Sequence, residues 1–308
     1  MAKSHSSQIP SNGLCHVPQQ NPITGDVSFG NLVQDKVSVE NGFGQPLLTV
    51  DGFLFSCSKE VLVKGLVNGV KGVLGFGRSN LAFQSQMVNS FGFERKFLVC
   101  LSSKSNGFIS SGVGMISNSL SLPSPLSLSY TPLEKSQKTH DVVDGYYVNV
   151  NSIKVNGRRL AVDQPIGAVE ISSTAPYTVL KSTVYETLKK AFSKSMTMVA
   201  PVGPFGICFR SRVDVPVIEL VMQSEMVKWR IHGRNLVVDV GDGVMCLGIV
   251  DGGLGMNGTM ILGGYQLEDH VLEFNLGTSM MGFSSSLLME GNSCSNIRET
   301  VSKSIQSL

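Results

Sequence analysis

The chain has 308 residues, of which 42% are hydrophobic and 16% are charged, and its formal net charge is +2. This length and apolar content allow two domains or one large one with packed cores, and they exclude global disorder. The small positive charge favours neither a nucleic acid nor an anionic membrane as a partner. No apolar run approaches the roughly 20 residues that a membrane-spanning helix needs.

The first 22 residues are polar and lack the apolar segment of a secretory signal peptide, so we expect no signal peptide in this chain. The cysteines point instead to an oxidising compartment, since they are widely spaced and suit disulfides, and free buried thiols are the alternative. Their spacing lacks the close pairs of a zinc site, so we predict no metal and no cofactor. These cysteines are Cys15, Cys57, Cys100, Cys208, Cys246 and Cys294.

Strand-like segments dominate the chain, because runs of apolar, β-branched or alternating residues are repeatedly bounded by Gly, Asn or Asp. The clearest runs are residues 33–39, 53–56, 97–101, 146–150, 236–240 and 244–250. Helical patterns are short. Residues 183–194 begin with Thr183 and Glu186 in the spacing of a capping box, and residues 81–89 follow a Ser and an Asn. We therefore predict a mainly β fold.

A Ser-, Leu- and Pro-rich segment at residues 117–129, followed by the charged residues 134–144, is the best candidate for a domain boundary. The alternative is a long surface loop within one domain. A weak internal repeat crosses this boundary, since residues 72–77 and 260–265 each place two large apolar residues before a Gly.

Several segments, taken in order, resemble plant pepsin-like proteins, in particular the basic 7S globulins, extracellular dermal glycoproteins and xylanase or glucanase inhibitors. The resemblance covers nearly the whole chain from Cys15 to Cys294. The segments that carry it are residues 72–87, 96–101, 146–160, 176–192, 246–253 and 261–284. It implies a mainly β, bilobal pepsin-like aspartic peptidase fold. The family's first catalytic Asp and its flap lie upstream of the part matched by residues 15–29, so we expect an incomplete N-terminal lobe.

The resemblance also implies a division of the chain. Residues 1–118 are expected to be the remnant of the N-terminal lobe, residues 119–142 the linker, and residues 143–308 the C-terminal lobe.

Residues 167–180 have the layout of the family's second catalytic strand and turn, where active members carry Asp-Thr/Ser-Gly. Here Ser172, Ser173 and Thr174 occupy that position, and neither Asp-Thr-Gly nor Asp-Ser-Gly occurs in the chain. Active relatives use two carboxylates that share a proton and activate a water molecule. A serine hydroxyl cannot act as that base near neutral pH. We therefore predict a chain without catalytic residues.

The family resemblance further suggests how the cysteines pair. Cys208 and Cys246 form a natural pair within the second lobe, and Cys100 with Cys294 is then the expected bridge between the lobes. Cys15 and Cys57 either pair with each other or have each lost a partner. These pairings are a choice among fifteen.

The loop at residues 251–258 lies where family inhibitors carry a segment that enters the target, and those inhibitors tend to offer an Arg or a His there. This chain offers none. Residues 253–258 also match the glycine pattern of dinucleotide sites, but they precede a strand-like run, which argues against a nucleotide. Asn257 begins a glycosylation sequon. The binding-loop candidates are Asp251, Gly252, Gly253, Leu254, Gly255, Met256, Asn257 and Gly258.

The leading hypothesis for function is a non-catalytic, protein-binding plant protein related to glycosidase inhibitors, whose partner is a microbial or plant glycosidase. It is expected to be an extracellular or cell-wall monomer. One alternative is an aspartic-type endopeptidase, which rests on family membership alone. Another is a storage protein or a truncated remnant without a selected function.

Overall fold

The structure is a computed structural model. The residues that it describes are 15–21, 24, 26–40, 46–66, 69–104, 106–111, 126–134, 145–210 and 215–297. The contacts divide the chain into two compact units, one from residues 1–93 and 137–144, the other from residues 94–136 and 145–308. Of the expected linker at residues 119–142, only residues 126–134 lie within the described part, so the division expected from the sequence stays a prediction.

The described residues form the following strands and helices in chain order. The strands are β1 (His16–Gln20), β2 (Val27–Glu40), β3 (Pro46–Cys57), β4 (Lys96–Cys100), β5 (Phe108–Ser111), β6 (Ser129–Glu134), β7 (Tyr146–Val155), β8 (Arg158–Arg159), β9 (Gly167–Ile171), β10 (Thr178–Leu180), β11 (Met198–Val199), β12 (Cys208–Phe209), β13 (Ile218–Met222), β14 (Lys228–Ile231), β15 (Val237–Gly241), β16 (Val244–Leu247), β17 (Ile249–Asp251), β18 (Met260–Leu262), β19 (Val271–Asn275) and β20 (Met280–Phe283). The helices are α1 (Phe83–Phe91), α2 (Ser182–Ser193) and α3 (Gly264–Leu267), with 3₁₀ helices at Glu60–Val63, Gly233–Asn235 and Leu287–Glu290.

In the first unit, β1, β2 and β3 form an antiparallel sheet in that order. Helix α1 packs against β3, where Val50, Phe53 and Met87 form a buried cluster. The Gln86 side chain holds the two together, because its amide accepts from the Leu54 N–H and donates to the Leu54 carbonyl, each at 2.8 Å.

Helix α1 begins two residues later than the sequence suggested. The preceding turn is closed by the Ala82 N–H, which donates to the Ser79 carbonyl at 3.1 Å. The Phe83 N–H donates to Gly75 at 2.9 Å, and Ala82 becomes the N-cap without a side-chain hydrogen bond. The polar residues at positions 79 and 80 therefore shape the entry to the helix rather than cap it.

The second unit is built on one large sheet with the strand order β17-β10-β18-β9-β7-β6-β20-β19-β4-β5, and a smaller sheet has the order β11-β12-β16-β15. The short strand β18 lies between β9 and β10, parallel to the first and antiparallel to the second. Because β9 and β10 are joined by a turn, β18 is inserted into a hairpin-like pair. This mainly β architecture, with its sheets in two units, confirms the fold class predicted from the sequence.

Two disulfides, Cys100–Cys294 and Cys208–Cys246, are present in the structure, and they are the two pairs expected from the resemblance. All four cysteines belong to the second unit. Cys100–Cys294 therefore lies within one compact unit, whereas a bridge between the two lobes was expected. The reason is that β4 pairs with β19 and belongs to the sheet of the second unit. The buried Asp269 carboxylate accepts from the Cys294 N–H at 2.8 Å and fixes this end of the bridge.

The two bridges differ in the length of chain that they close, which is 194 residues for Cys100–Cys294 and 38 for Cys208–Cys246. By loop entropy, replacing both cysteines with serine should cost about 5 kcal/mol for the longer loop and about 4 kcal/mol for the shorter. We expect the Cys100→Ser/Cys294→Ser protein to unfold at the lower guanidinium concentration. Equal midpoints for the two double variants would contradict this ranking.

Candidate functional site

The turn between β9 and β10 contains Ser172, Ser173 and Thr174, the residues that the sequence analysis singled out. Ser172 is largely buried, and its N–H donates to the Leu262 carbonyl at 3.0 Å. Its Oγ accepts from the Ala175 N–H at 3.1 Å and lies 3.0 Å from the Thr174 hydroxyl. The Ser172 hydroxyl therefore closes the turn on itself, and its described hydrogen bonds go to this local backbone and to Thr174.

A buried amide beneath this turn holds the strands together. Gln266 Oε1 accepts from the Thr178 N–H at 2.9 Å and from the Thr178 hydroxyl at 2.7 Å. Its Nε2 donates to the Gly248 carbonyl at 2.9 Å and to the Asn235 carbonyl at 3.2 Å. The sequence analysis missed this residue, because a lone Gln carries no spacing pattern that marks it as buried.

The crossing of β18 and the turn requires a residue without a side chain. A Cβ at Gly263 would overlap the backbone of Tyr177 and come within 2.7 Å of the Thr178 nitrogen. Only glycine fits such a close approach of two chains. In the sequence, the feature that could have marked this close approach of β18 and the turn is the Gly that follows the apolar pair at residues 261–262.

A depression of about 660 Å³ opens next to the turn within the second unit. Its described lining includes Ser173, Tyr177, Tyr265, Phe108 and Glu268. The ring centroids of Tyr177 and Tyr265 lie 5.8 Å apart, and the Tyr265 hydroxyl donates to the Val237 carbonyl at 2.6 Å.

Burial raises the pKa of the two ionisable groups of this depression for which a shift is resolved. Burial raises the pKa of Tyr265 to about 12, with smaller contributions from Glu268 and Tyr177. Burial, and then the neighbouring Asp269 charge, raises the pKa of Glu268 above its usual range. Among the described lining residues Glu268 is the one carboxyl, whereas an aspartic peptidase needs two that share a proton.

The loop at residues 251–258 is anchored at both ends to the start of α2. The Asp251 carboxylate accepts from the Ser182 hydroxyl at 2.6 Å and from the Gly253 N–H at 2.9 Å. At the other end the Lys181 N–H donates to the Thr259 carbonyl at 3.0 Å. These hydrogen bonds tie both ends of the loop to the segment at which α2 begins.

The tip of this loop is apolar and exposed. Leu254 is 70% exposed, and Asn257 is also exposed, as a glycan acceptor must be. Residues 253–258 lead into β18 and not into a helix, which is the wrong context for a dinucleotide site. The loop therefore lacks the strand-to-helix context of a phosphate cradle, and Leu254 lies exposed at its tip.

The anchoring of the loop also explains why the predicted capping box is wrong. Helix α2 begins at Ser182, its N-cap is Lys181, and it has no side-chain cap. The Ser182 N–H donates to the Gly253 carbonyl at 3.4 Å, so the loop supplies a backbone acceptor at the start of the helix. Thr183 lies inside the helix, and its carbonyl accepts from the Thr187 hydroxyl at 2.9 Å.

Among the described residues, no group of His, Cys, Asp or Glu side chains has the arrangement of a metal site. Within the same part of the chain, no helix is both long and apolar enough to cross a membrane.

One histidine of the second unit is fully buried. His270 packs against the chain's single tryptophan, Trp229, with ring centroids 5.5 Å apart. Its Nδ1 lies 3.0 Å from the Glu268 carbonyl, while its Nε2 has no hydrogen-bond partner in the described part. Burial lowers the pKa of His270 to about 4, although Glu268 and Asp269 act in the opposite direction.

The stability of this unit should consequently depend on pH. The folded pKa of His270, about 4, lies below the unfolded value of 6.5, so the unfolded state binds the proton first. Stability is complete above pH 6.5 and falls as the pH drops towards 4, by up to about 3 kcal/mol. Urea unfolding followed by Trp229 fluorescence measures it. His270→Asn should flatten this slope, and parallel profiles for the two proteins would contradict the assignment.

Two family models and several known proteins are similar to this chain. Residues 1–113 match the family model described as xylanase inhibitor N-terminal, and residues 145–285 match xylanase inhibitor C-terminal. A probable aspartic proteinase GIP2 of Nicotiana benthamiana is 36% identical, over 94% of this chain and 73% of the relative. Gamma conglutin 2 of Lupinus albus is 36% identical, over 93% of this chain and 69% of the relative. The crystal structure of soybean basic 7S globulin superposes with a TM-score of 0.80 at 33% identity, covering 92% of this chain and 75% of that one.

Proposed function

The chain belongs to the plant pepsin-like family of xylanase inhibitors, gamma conglutins and basic 7S globulins, and from this premise we propose that it binds a protein without cleaving it. The proposal is supported by the turn after β9, where Ser172, which the family resemblance aligns with a catalytic carboxylate, accepts through its hydroxyl from the Ala175 N–H. A hydroxyl with its ordinary pKa cannot hold and release the proton that peptide hydrolysis requires.

The geometry of that hydroxyl supports the same conclusion. Ser172 Oγ accepts from the Ala175 N–H, and the Thr174 hydroxyl lies within 3.0 Å of it. Its described hydrogen bonds therefore serve the turn. The name of one relative, a probable aspartic proteinase, keeps the peptidase alternative open to a direct test.

We expect the purified protein to leave casein intact at acid pH. The missing acid–base group predicts a rate at least about 100-fold below that of an equal amount of pepsin. The assay is release of acid-soluble peptides, with and without a pepstatin-type inhibitor. Cleavage that this inhibitor abolishes would establish an aspartic peptidase and refute the proposal.

The contact surface that we propose is the anchored loop at residues 251–258. An apolar tip whose ends are fixed loses little conformational entropy on binding, which favours its use as an interaction loop. The glycosidase class is suggested by the family alone. Paired catalytic carboxylates of a glycosidase would attract a cationic side chain, and this loop offers none. A target bound through Leu254 must present an apolar pocket instead.

We therefore expect no inhibition of fungal xylanases at micromolar concentration, and binding to another secreted cell-wall glycosidase, such as a glucanase. The measurement is inhibition and surface-plasmon binding across a panel of purified xylanases and glucanases. Micromolar inhibition of a xylanase would refute the first part. Failure to bind any member of the panel would refute the glycosidase class of target.

The role of the loop tip can be separated from general surface stickiness. Leu254→Ser should weaken binding to the glycosidase about tenfold, because burying an apolar anchor contributes more than about 1.4 kcal/mol. Met226, in the turn between β13 and β14, is 91% exposed and serves as a matched control. Met226→Ser should change the dissociation constant less than about twofold. Equal losses for the two variants would remove the loop from the interface.

We also propose an extracellular location. The disulfides Cys100–Cys294 and Cys208–Cys246 support it, since such bridges persist in oxidising compartments.

A further inference from the structure

The loop at residues 251–258 carries a motif that a contact through Leu254 does not use. Asn257, Gly258 and Thr259 form the single Asn-x-Ser/Thr sequence among the 308 residues of the chain. In proteins of the secretory pathway, this sequence is where an oligosaccharide is joined to the Asn side chain. Whether the folded chain can carry a sugar there depends on the surroundings of Asn257.

The Asn257 side chain is available at the surface. Asn257 is exposed, and among the described residues no hydrogen bond involves its side-chain amide. By contrast, the Asn235 side chain is buried and donates to a backbone carbonyl, and the Asn275 side chain accepts from a backbone N–H. An N-linked sugar is bulky and hydrated, so the Asn that bears it has to lie at the surface. Asn257 meets this requirement, and the buried Asn235 does not.

The backbone on both sides of Asn257 borders open space. In the described part of the chain, a Cβ built on Gly255 or on Gly258 would have no atom within 4 Å apart from its immediate chain neighbours. Met256 turns towards the base of the loop instead, since its sulfur would lie 2.7 Å from a Cβ on Gly252. A sugar ring linked to Asn257 therefore has room at the loop without displacing the backbone.

The third residue of the motif is held in place by the fold. The Thr259 hydroxyl donates to the Ile166 carbonyl, and the Thr259 carbonyl accepts from the Lys181 N–H at 3.0 Å. The next residue, Met260, begins β18. The Ser or Thr hydroxyl is part of the motif that the oligosaccharide-transferring enzyme recognises. In the folded chain that hydroxyl is engaged, so the enzyme can act on residues 257–259 only before β18 is inserted.

We propose that Asn257 carries an N-linked oligosaccharide, attached before the second unit folds, and that this glycan covers the exposed side chain of Leu254. Three residues of chain span at most about 10 Å, so the first sugar lies close to Leu254. A branched oligosaccharide is longer than this span. The glycan thereby limits which partners reach the tip of the loop. This last consequence rests on the proposed function, whereas the glycan and its cover of Leu254 do not.

The transfer needs an oligosaccharide that is activated on a lipid pyrophosphate. The Asn257 Nδ2 forms a bond to carbon C1 of the first sugar and loses one proton. The bond between C1 and the pyrophosphate oxygen breaks, and the lipid pyrophosphate leaves. No atom is oxidised or reduced in this step, so the donor is the one co-reactant.

Occupancy is tested on the full chain, secreted from cultured mammalian cells behind an added secretion signal. Intact mass is measured before and after peptide N-glycosidase F, and the unmodified protein should lose the mass of one oligosaccharide. Asn257→Gln and Thr259→Ala should show no such loss. Thr259→Ser should keep the glycan, because serine retains the hydroxyl. Peptide mapping of the Cys100–Cys294 and Cys208–Cys246 bridges controls for folding.

The cover of Leu254 is tested by limited proteolysis with thermolysin, which cleaves before exposed leucines. The fragment that begins at Leu254 should appear several-fold more slowly from the glycosylated protein than from Asn257→Gln. Thr259→Ser, which keeps the glycan, should match the unmodified protein.

Two results would overturn the proposal. Secreted protein with both bridges formed and no mass loss after the glycosidase would show that Asn257 is not an acceptor. Equal rates of cleavage before Leu254 with and without the glycan, including no cleavage in either, would show that the sugar does not cover the tip. A glycan at Asn257 in a protein that binds no member of the glycosidase panel would support the site while refuting the proposed function.

Discussion

The second unit depends on the insertion of β18 between β9 and β10, two strands that are already joined by a turn. Such an insertion interrupts the normal hydrogen-bond ladder of a hairpin, and the interrupted groups must find other partners. Gln266 provides hydrogen bonds in this region. Its side-chain amide accepts from the Thr178 N–H at the start of β10 and donates to the Gly248 and Asn235 carbonyls of neighbouring segments. Gly263 allows the close approach that the crossing requires. The Ser172 N–H donates to the Leu262 carbonyl of β18, but the Ser172 side chain takes no part in the bonds made by Gln266.

A neutral side chain at position 172 suits this buried turn. A carboxylate at a buried turn must be hydrogen-bonded or protonated, and otherwise it destabilises the folded state. A serine at position 172 bonds to the Ala175 N–H and adds no charge. Active sites are places where stability is given up for chemistry, and their loss commonly stabilises a protein.

The sequence predicted the β-rich fold, the two bridges and the exposed loop, because each depends on local pattern or family motif. It failed where partners distant in the chain decide the outcome. Residues 72–77 and 260–265 have the same apolar–apolar–Gly pattern, yet Met260–Leu262 forms β18 while Val73 and Leu74 are exposed and lie outside the described strands. Met260–Leu262 has β9 and β10 beside it. The capping box at Thr183 failed for the same reason, since Asp251 bonds to Ser182 at the helix start from 69 residues away in the chain.

The loop at residues 251–258 is a further case in which a partner distant in the chain decides the local structure. Asp251 is a residue type that is common in turns, and nothing in its sequence context indicates that its carboxylate accepts from the Ser182 hydroxyl at the start of α2. The same loop leads directly into β18. Asp251 and Thr259, at its two ends, bond to the segment that begins α2, whereas Leu254 between them is exposed. A substitution at Leu254 therefore changes exposed surface without altering the inserted strand, and loops of differing chemistry can be carried on one scaffold in this way.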